Sequence, residues 1–138
     1  MKHLKRYNED LQPHQVDELK EFCENCLAYL LDEGFSLSYE NIYGGIGTAL
    51  RISLYIPTPG SKQTLFKWDD VKEYYIPFLQ LLSRRYELSN NRFHGLVGFQ
   101  STKDEYVSLD RCVRDKLPSN IGAFWCIKIH VDDKKRSV

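Results

Sequence analysis

From Val16 the apolar residues fall at Val16, Leu19, Cys23, Cys26, Leu27, Leu30 and Leu31, a spacing that lines one side of a helix. Pro13 suits the start of that helix, because its missing N–H is no loss in the first turn. Gly34 is placed to end it. After Gly34 the period changes to two. Phe35, Leu37 and Tyr39 alternate with Ser36, Ser38 and Glu40, and Leu50, Ile52, Leu54 and Ile56 alternate with Arg51, Ser53 and Tyr55. Each run predicts a strand with one buried face. KWDDVKEYYIPFLQLLSRRYEL returns to helical spacing through Val71, Tyr74, Tyr75, Phe78, Leu81 and Leu82. Within it, Asp70 and Glu73 have the spacing of a capping box, and Pro77 predicts a kink.

NRFHGLVGFQ places Phe93, Val97 and Phe99 on one face, and a further strand is expected around Glu105–Leu109. DRCVRDKLPSNIG reads either as a short helix or as a loop. AFWCIKIHV carries the clearest strand pattern, with Trp125, Ile127, Ile129 and Val131 expected to face one way. Residues 1–12 predict a loose arm and residues 132–138 a frayed tail. The expected object is a single α+β domain: two main helices on one face of a mostly antiparallel sheet of about four to five strands, in the order α-β-β-α-β-β-β.

Charge narrows the function. Lys plus Arg equals Asp plus Glu at 19 each, so the chain as a whole lacks the excess of cations that phosphate binders use. Zero net charge also favours self-association mildly. Aromatic residues make up 13%, enough for a ring-rich core and for surface rings of the kind that binding sites use. MKHLKRYNEDLQPHQ has cations without a following apolar run, so no secretory signal is expected. No apolar stretch reaches the length of a membrane span. A cytoplasmic setting with reduced cysteines is the resulting expectation.

Four groups of residues carry candidate chemistry. ENIYGGIGTALRISLYIP holds Gly44, Gly45 and Gly47, but strand-period residues follow them, whereas phosphate-cradling loops lead into a helix. The loop therefore reads as a hairpin connection, longer than a tight turn needs and able to close over a partner. Cys23 and Cys26 form a C-x-x-C on a helix face, with Cys112 and Cys126 distant, so core packing is preferred to zinc or redox chemistry and no metal is assigned. His94 and His130 both sit on the outward faces of strands and would meet if those strands pair. With Arg92, Glu105, Asp110 and Arg111 they are the residues from which phosphodiester hydrolysis would be assembled. Tyr43, Tyr55, Lys67, Arg84, Arg85 and Arg92 are rings and cations that suit stacking on single-stranded nucleic acid or a protein interface.

The opening MKHLKRYNED, followed by an acidic amphipathic helix ending LLDEGFSLSYE, resembles small accessory proteins of large tailed bacteriophages. FKWDDVKEYYIPFLQLL is similar to their second helix. The resemblance covers about the first two-thirds of the chain and carries no active residue. It implies a virus-encoded protein acting in a bacterial cytoplasm. The leading expectation is a non-enzymatic interaction module, without a cofactor and with a homodimer expected. It would hold a host or viral protein on Tyr43, Gly44, Gly45, Gly47 and Tyr55 together with Arg84, Arg85 and Arg92. Nucleotide or single-stranded nucleic-acid binding is the alternative. A hydrolase using His94 and His130 is the third.

Overall fold

The computed structural model describes residues 13–44, 47–60, 63–96, 102–117 and 122–133. Helix α1 spans Pro13–Cys26 and α2 spans Ala28–Asp32. The break between them is local: Leu27 has φ −107°, yet its N–H still reaches Cys23 O at 3.0 Å and its carbonyl receives Leu31 N–H at 3.0 Å. Gly34 adopts φ +104°, a conformation that favours glycine. Its N–H donates to Leu31 O, and Phe35 N–H donates to Leu30 O, the paired bonds of a left-handed helix terminus.

Strands β1 (Ser36–Gly44) and β2 (Gly47–Tyr55) follow, then the two-residue β3 (Phe66–Lys67) and the long helix α3 (Trp68–Arg85). Asp70 is the third residue of α3 and accepts the Lys67 amide at 2.8 Å, so the helix starts earlier than an Asp70–Glu73 capping box predicts. It also runs through Pro77, an exposed position, to Arg85. The chain turns there without a loop into β4 (Tyr86–Leu96), then β5 (Thr102–Tyr106), the short α4 (Leu109–Val113) and β6 (Ala123–Asp133). Asp132 and Asp133 belong to β6, paired with Glu87 and Tyr86, and so are not part of a frayed tail. Residues 1–12 lie outside the described residues, as do Val97 and Phe99.

The fold is α+β, with every strand pairing antiparallel in the order β1-β2-β6-β4-β5 and β3 joined to β6. Six strands and four helices among the described residues exceed the simpler order expected from the sequence. The additions are β3, α4 and the division at Leu27, all too short to impose a period on the sequence. One core joins the helices to one sheet face. Leu19, Leu27 and Leu30 meet Val71, Tyr75, Phe78 and Leu82 of α3, and Leu50, Ile52, Leu54, Phe93, Ile127, Ile129 and Val131 of the sheet. Trp68 donates from Nε1 to Asp115 at 2.6 Å, which ties the start of α3 to the turn after α4.

Two irregularities set which residues face away from this core. Asn90, with φ +52°, lies where the β4 register slips between Ser89 and Arg92. A second slip occurs farther along, where His94 pairs with Cys126 but Gly95 pairs with Phe124, leaving Trp125 as the extra residue of a bulge. Phe124 thereby shares the core with Ile127. Trp125 does not face with Ile127 and Ile129; its ring lies instead against His94.

The bulge depends on the absence of a side chain at Gly95. A Cβ there would sit 3.0 Å from Phe124 Cβ and 3.1 Å from the Ala123 carbonyl oxygen, and neither atom is the end of a flexible chain. Gly95→Ala is expected to lower unfolding free energy by about 1–3 kcal/mol in urea titrations. Gly122→Ala, with no atom within 4 Å, is expected to change little. Equal stability of the two variants would show that the β4–β6 approach yields freely.

Candidate functional site: the uncovered sheet face

Among the described residues the helices share the core of the first face, and on the second face Ser53, His94 and Cys126 are nonetheless buried, at 8%, 8% and 2% exposed. Strand alternation and register arrange that face in cross-strand rows about 6.6 Å apart. The first row is Ser36, Tyr55, Cys126, His94 and Asp104, the second Ser38, Ser53, Lys128, Arg92 and Tyr106, and the third Glu40, Arg51, His130 and Ser89. Glu87 and Asp132 form the next row.

The middle rows concentrate cations. Lys128 and Arg92 are directly paired across β6 and β4, which places two cations side by side on this face. Lys128 has no carboxylate within salt-bridge reach among the described residues. Arg51 is bridged to Glu40, whose carboxyl it holds below the usual range by hydrogen bonding. Arg92 donates to Tyr106 Oη at 3.2 Å, and its guanidinium lies 5.7 Å from that ring's centroid. The joint field registers on neighbouring groups. Burial raises the Cys126 thiol pKa, opposed by Lys128, Arg92 and Arg51; burial lowers the His130 pKa, assisted by Arg51, Arg92 and Lys128 and opposed by Asp132.

Rings gather at the other end. Trp125 lies 5.1 Å from His94, centroid to centroid, with planes tilted by 38°. Beside it, Tyr55, Pro57, Thr58, Gly60 and Thr64 enclose a cleft of about 380 Å³ with Trp125. The indole Nε1 of Trp125 is buried without a hydrogen-bond partner among the described residues.

The candidates named from sequence divide among separate places. Gly44 and Gly47 are opposite each other at the end of β1 and β2, so only positions 45 and 46 intervene, a shorter connection than expected. Gly45 itself and the side chain of Tyr43 lie outside the described residues. Tyr55 is at the far end of β2, about 26 Å from Gly47 along an extended strand. Tyr43 with its glycines and Tyr55 therefore do not form one surface. Arg85 lies in the helical layer, its guanidinium 4.7 Å from the Phe22 ring centroid, and the exposed Arg84 is its neighbour on α3. Of the expected set, the sheet face brings together Tyr55 and Arg92.

His94 and His130 occupy paired strands, but the partner of His94 is Cys126, four residues from His130, so about 13 Å of strand separates them. Two imidazoles at that distance cannot share one proton transfer. Asp110 bonds Arg114 at 3.2 Å, and Arg111 Nε donates to Lys116 O at 3.2 Å, both within the α4 turn. Glu105 is paired with Phe93 and thus falls in the row of the opposite face. Lys67 caps α3. Cys23 is fully buried with its thiol pKa pushed far up by burial; Cys112 is pushed up to about 12 by burial. All four cysteines are free, and no group of three or more His, Cys, Asp or Glu among the described residues is placed to hold a metal ion.

Arg51, Trp125 and Lys128 escaped sequence reasoning. Alternation marks Arg51 and Lys128 as outward, but only the β2-β6-β4 order makes them neighbours of Arg92. Trp125 escaped because the bulge reverses its side.

Comparison of the chain with protein-family models, curated proteins and solved structures finds no match in any of the three. No helix among the described residues is long and apolar enough to cross a membrane.

Asn90 Nδ2 donates to His130 Nδ1 at 2.9 Å, a bond that requires the neutral ring with its proton on Nε2. Folding lowers the His130 pKa below its ordinary 6.5, so the unfolded chain takes up this proton first as pH falls. The contribution of His130 to stability is complete above that value and is lost on acidification toward the folded pKa. Urea titrations between pH 8 and 5 are expected to show stability falling below about 6.5. His130→Gln, which keeps an acceptor, is expected to fall less steeply over that window. Identical slopes would remove His130 as the cause.

Proposed function

We propose that the protein is a non-enzymatic binding module whose uncovered sheet face takes up single-stranded nucleic acid. The observation that carries the reading is the cross-strand pairing of Lys128 with Arg92, beside Arg51 and without a helix over it. Two cations held on opposite strands offer a polyanion adjacent charge-assisted contacts. Tyr106, Tyr55 and Trp125 flank those cations, the combination of backbone-tracking charge and stacking rings that sequence-tolerant single-strand binding uses. The zero net charge does not oppose this, because Arg51, Lys128 and Arg92 are grouped locally in the middle rows. Asp17, Glu18, Glu21, Glu24, Asp32 and Glu33 are exposed on α1, α2 and the turn after them, with Lys20 as the sole cation of that stretch.

A protein partner, host or viral, is the second reading, and it belongs to the other surface. Tyr29 is 52% exposed and stacks on Tyr74 at 4.6 Å, and Leu81 on the same helical layer is 41% exposed. That layer would also serve a homodimer. Either role suits the accessory protein in a bacterial cytoplasm that the phage resemblance implies.

Salt separates the two surfaces. Arg51 being bridged to Glu40, two phosphates neutralised by Lys128 and Arg92 correspond to a slope of about −1.4 for log K against log salt. Binding of a fluorescent decathymidylate, followed by anisotropy, is expected to show that slope, with Lys128→Ala about 0.7 shallower. Capture of a protein on Tyr29 and Leu81 is expected to respond far less. A decamer affinity indifferent to salt, or unchanged by Lys128→Ala, would rule out the sheet-face reading.

A further inference from the structure

We infer that His130 is a proton-linked phosphate contact, whose ring takes up a proton from solvent when a strand binds the sheet face, an inference that rests on the nucleic-acid reading above. Geometry holds the ring neutral in the empty protein. Asn90, with φ +52° where the β4 register slips, sets its amide nitrogen 2.9 Å from His130 Nδ1, which leaves the proton on Nε2. The ring is half-buried on this face. Its residue pairs directly with Arg51 of β2 and Ser89 of β4, one row, about 6.6 Å, from Lys128 and Arg92.

Every strand around the ring brings charge to it. β2 contributes Arg51, β4 contributes Arg92 and Glu87, β6 itself contributes Lys128 and Asp132, and Glu40 of β1 is held by Arg51. Burial first, then Arg51, Arg92 and Lys128, disfavour the protonated ring, while Asp132 favours it. A phosphate seated on Lys128 and Arg92 changes that balance. It offsets the cations that repel the proton, and it offers the imidazolium a charge-assisted acceptor. Binding therefore raises the His130 pKa. Affinity is then constant above the pKa of the bound state, rises as pH falls between the bound and empty values, and levels off below the empty one. Lys and Arg keep their charge throughout this range, and burial keeps the Cys126 thiol neutral. The face has a second histidine, His94, but it is 8% exposed and lies against Trp125, two rows from His130.

The test follows the anisotropy of decathymidylate, without a terminal phosphate and labelled with a rhodamine, from pH 8 to pH 5.5 at constant salt. Neither thymine nor a phosphodiester titrates in that window, so any pH dependence belongs to the protein. Affinity is expected to rise about fivefold or more across it. His130→Gln keeps a neutral hydrogen-bonding side chain, and its affinity is expected not to rise. Proton NMR of the His130 ring, assigned by its loss in that variant, should show a titration midpoint that moves upward when decathymidylate is added. A merely structural role would leave the midpoint in place. If the decamer binds without a pH dependence, if His130→Gln keeps the full rise, or if the midpoint stays fixed, the His130 contact is wrong while the sheet-face reading stands. Failure of the decamer to bind at any pH would overturn contact and sheet-face reading together.

Discussion

The central strand β6 is the constraint on which the molecule depends. It pairs with β2, β3 and β4, and its residues Ile127, Ile129 and Val131 are at most 1% exposed, so it supplies the floor of the core and joins both halves of the sheet. Each such aliphatic side chain stabilises the fold by about 1.5–3 kcal/mol on burial. Its register must be held at both ends, because a slip of one residue would turn the apolar row outward. The bulge at Trp125 is compatible with that requirement only because Gly95 lets Phe124 approach, which keeps Phe124 in the ring cluster with Phe66 and Phe93.

From that strand follows the division of the surface. The side chains of β6 on the other face are Cys126, itself buried, with Lys128, His130 and Asp132, and the partners dictated by register are Tyr55, Ser53, Arg51, His94, Arg92, Ser89 and Glu87. Acidic, cationic and aromatic rows succeed one another along this face, while the helical layer carries the acids of α1 and α2.

The helical and strand periods were legible because long elements bury one side: α1, β1, β2, α3 and β6 all announce themselves through Leu, Ile, Val and aromatic spacing. The α+β class followed from their order. What remained hidden depends on contacts between distant segments. Tyr86 continues the apolar pattern of α3, yet it begins β4, because pairing with Asp133 outweighs helix propagation. Phe66 and Lys67 form a strand only by adding to the end of β6. The candidate site was half visible: Tyr55 and Arg92 were singled out, whereas Lys128 and Arg51 acquire meaning only once β2, β6 and β4 are adjacent. Arg84 and Arg85 attracted notice as a cationic pair, but Phe22 stacks on Arg85 within the helical layer. Trp125 faces the side opposite to the one its spacing predicts, because a bulge resets the period of two and no residue near it in sequence marks that bulge.

The claim that the uncovered sheet face is the binding surface is tested most directly by photo-crosslinking a single-stranded decamer containing 4-thiothymidine and mapping the adducts by mass spectrometry. Tyr106, 60% exposed on the sheet, and Tyr29, 52% exposed on the helices, are rings of comparable accessibility on opposite surfaces. The account predicts adducts on Tyr106, Tyr55 and Trp125, and none on Tyr29 or Tyr74. Adducts concentrated on Tyr29 and Tyr74 would contradict it.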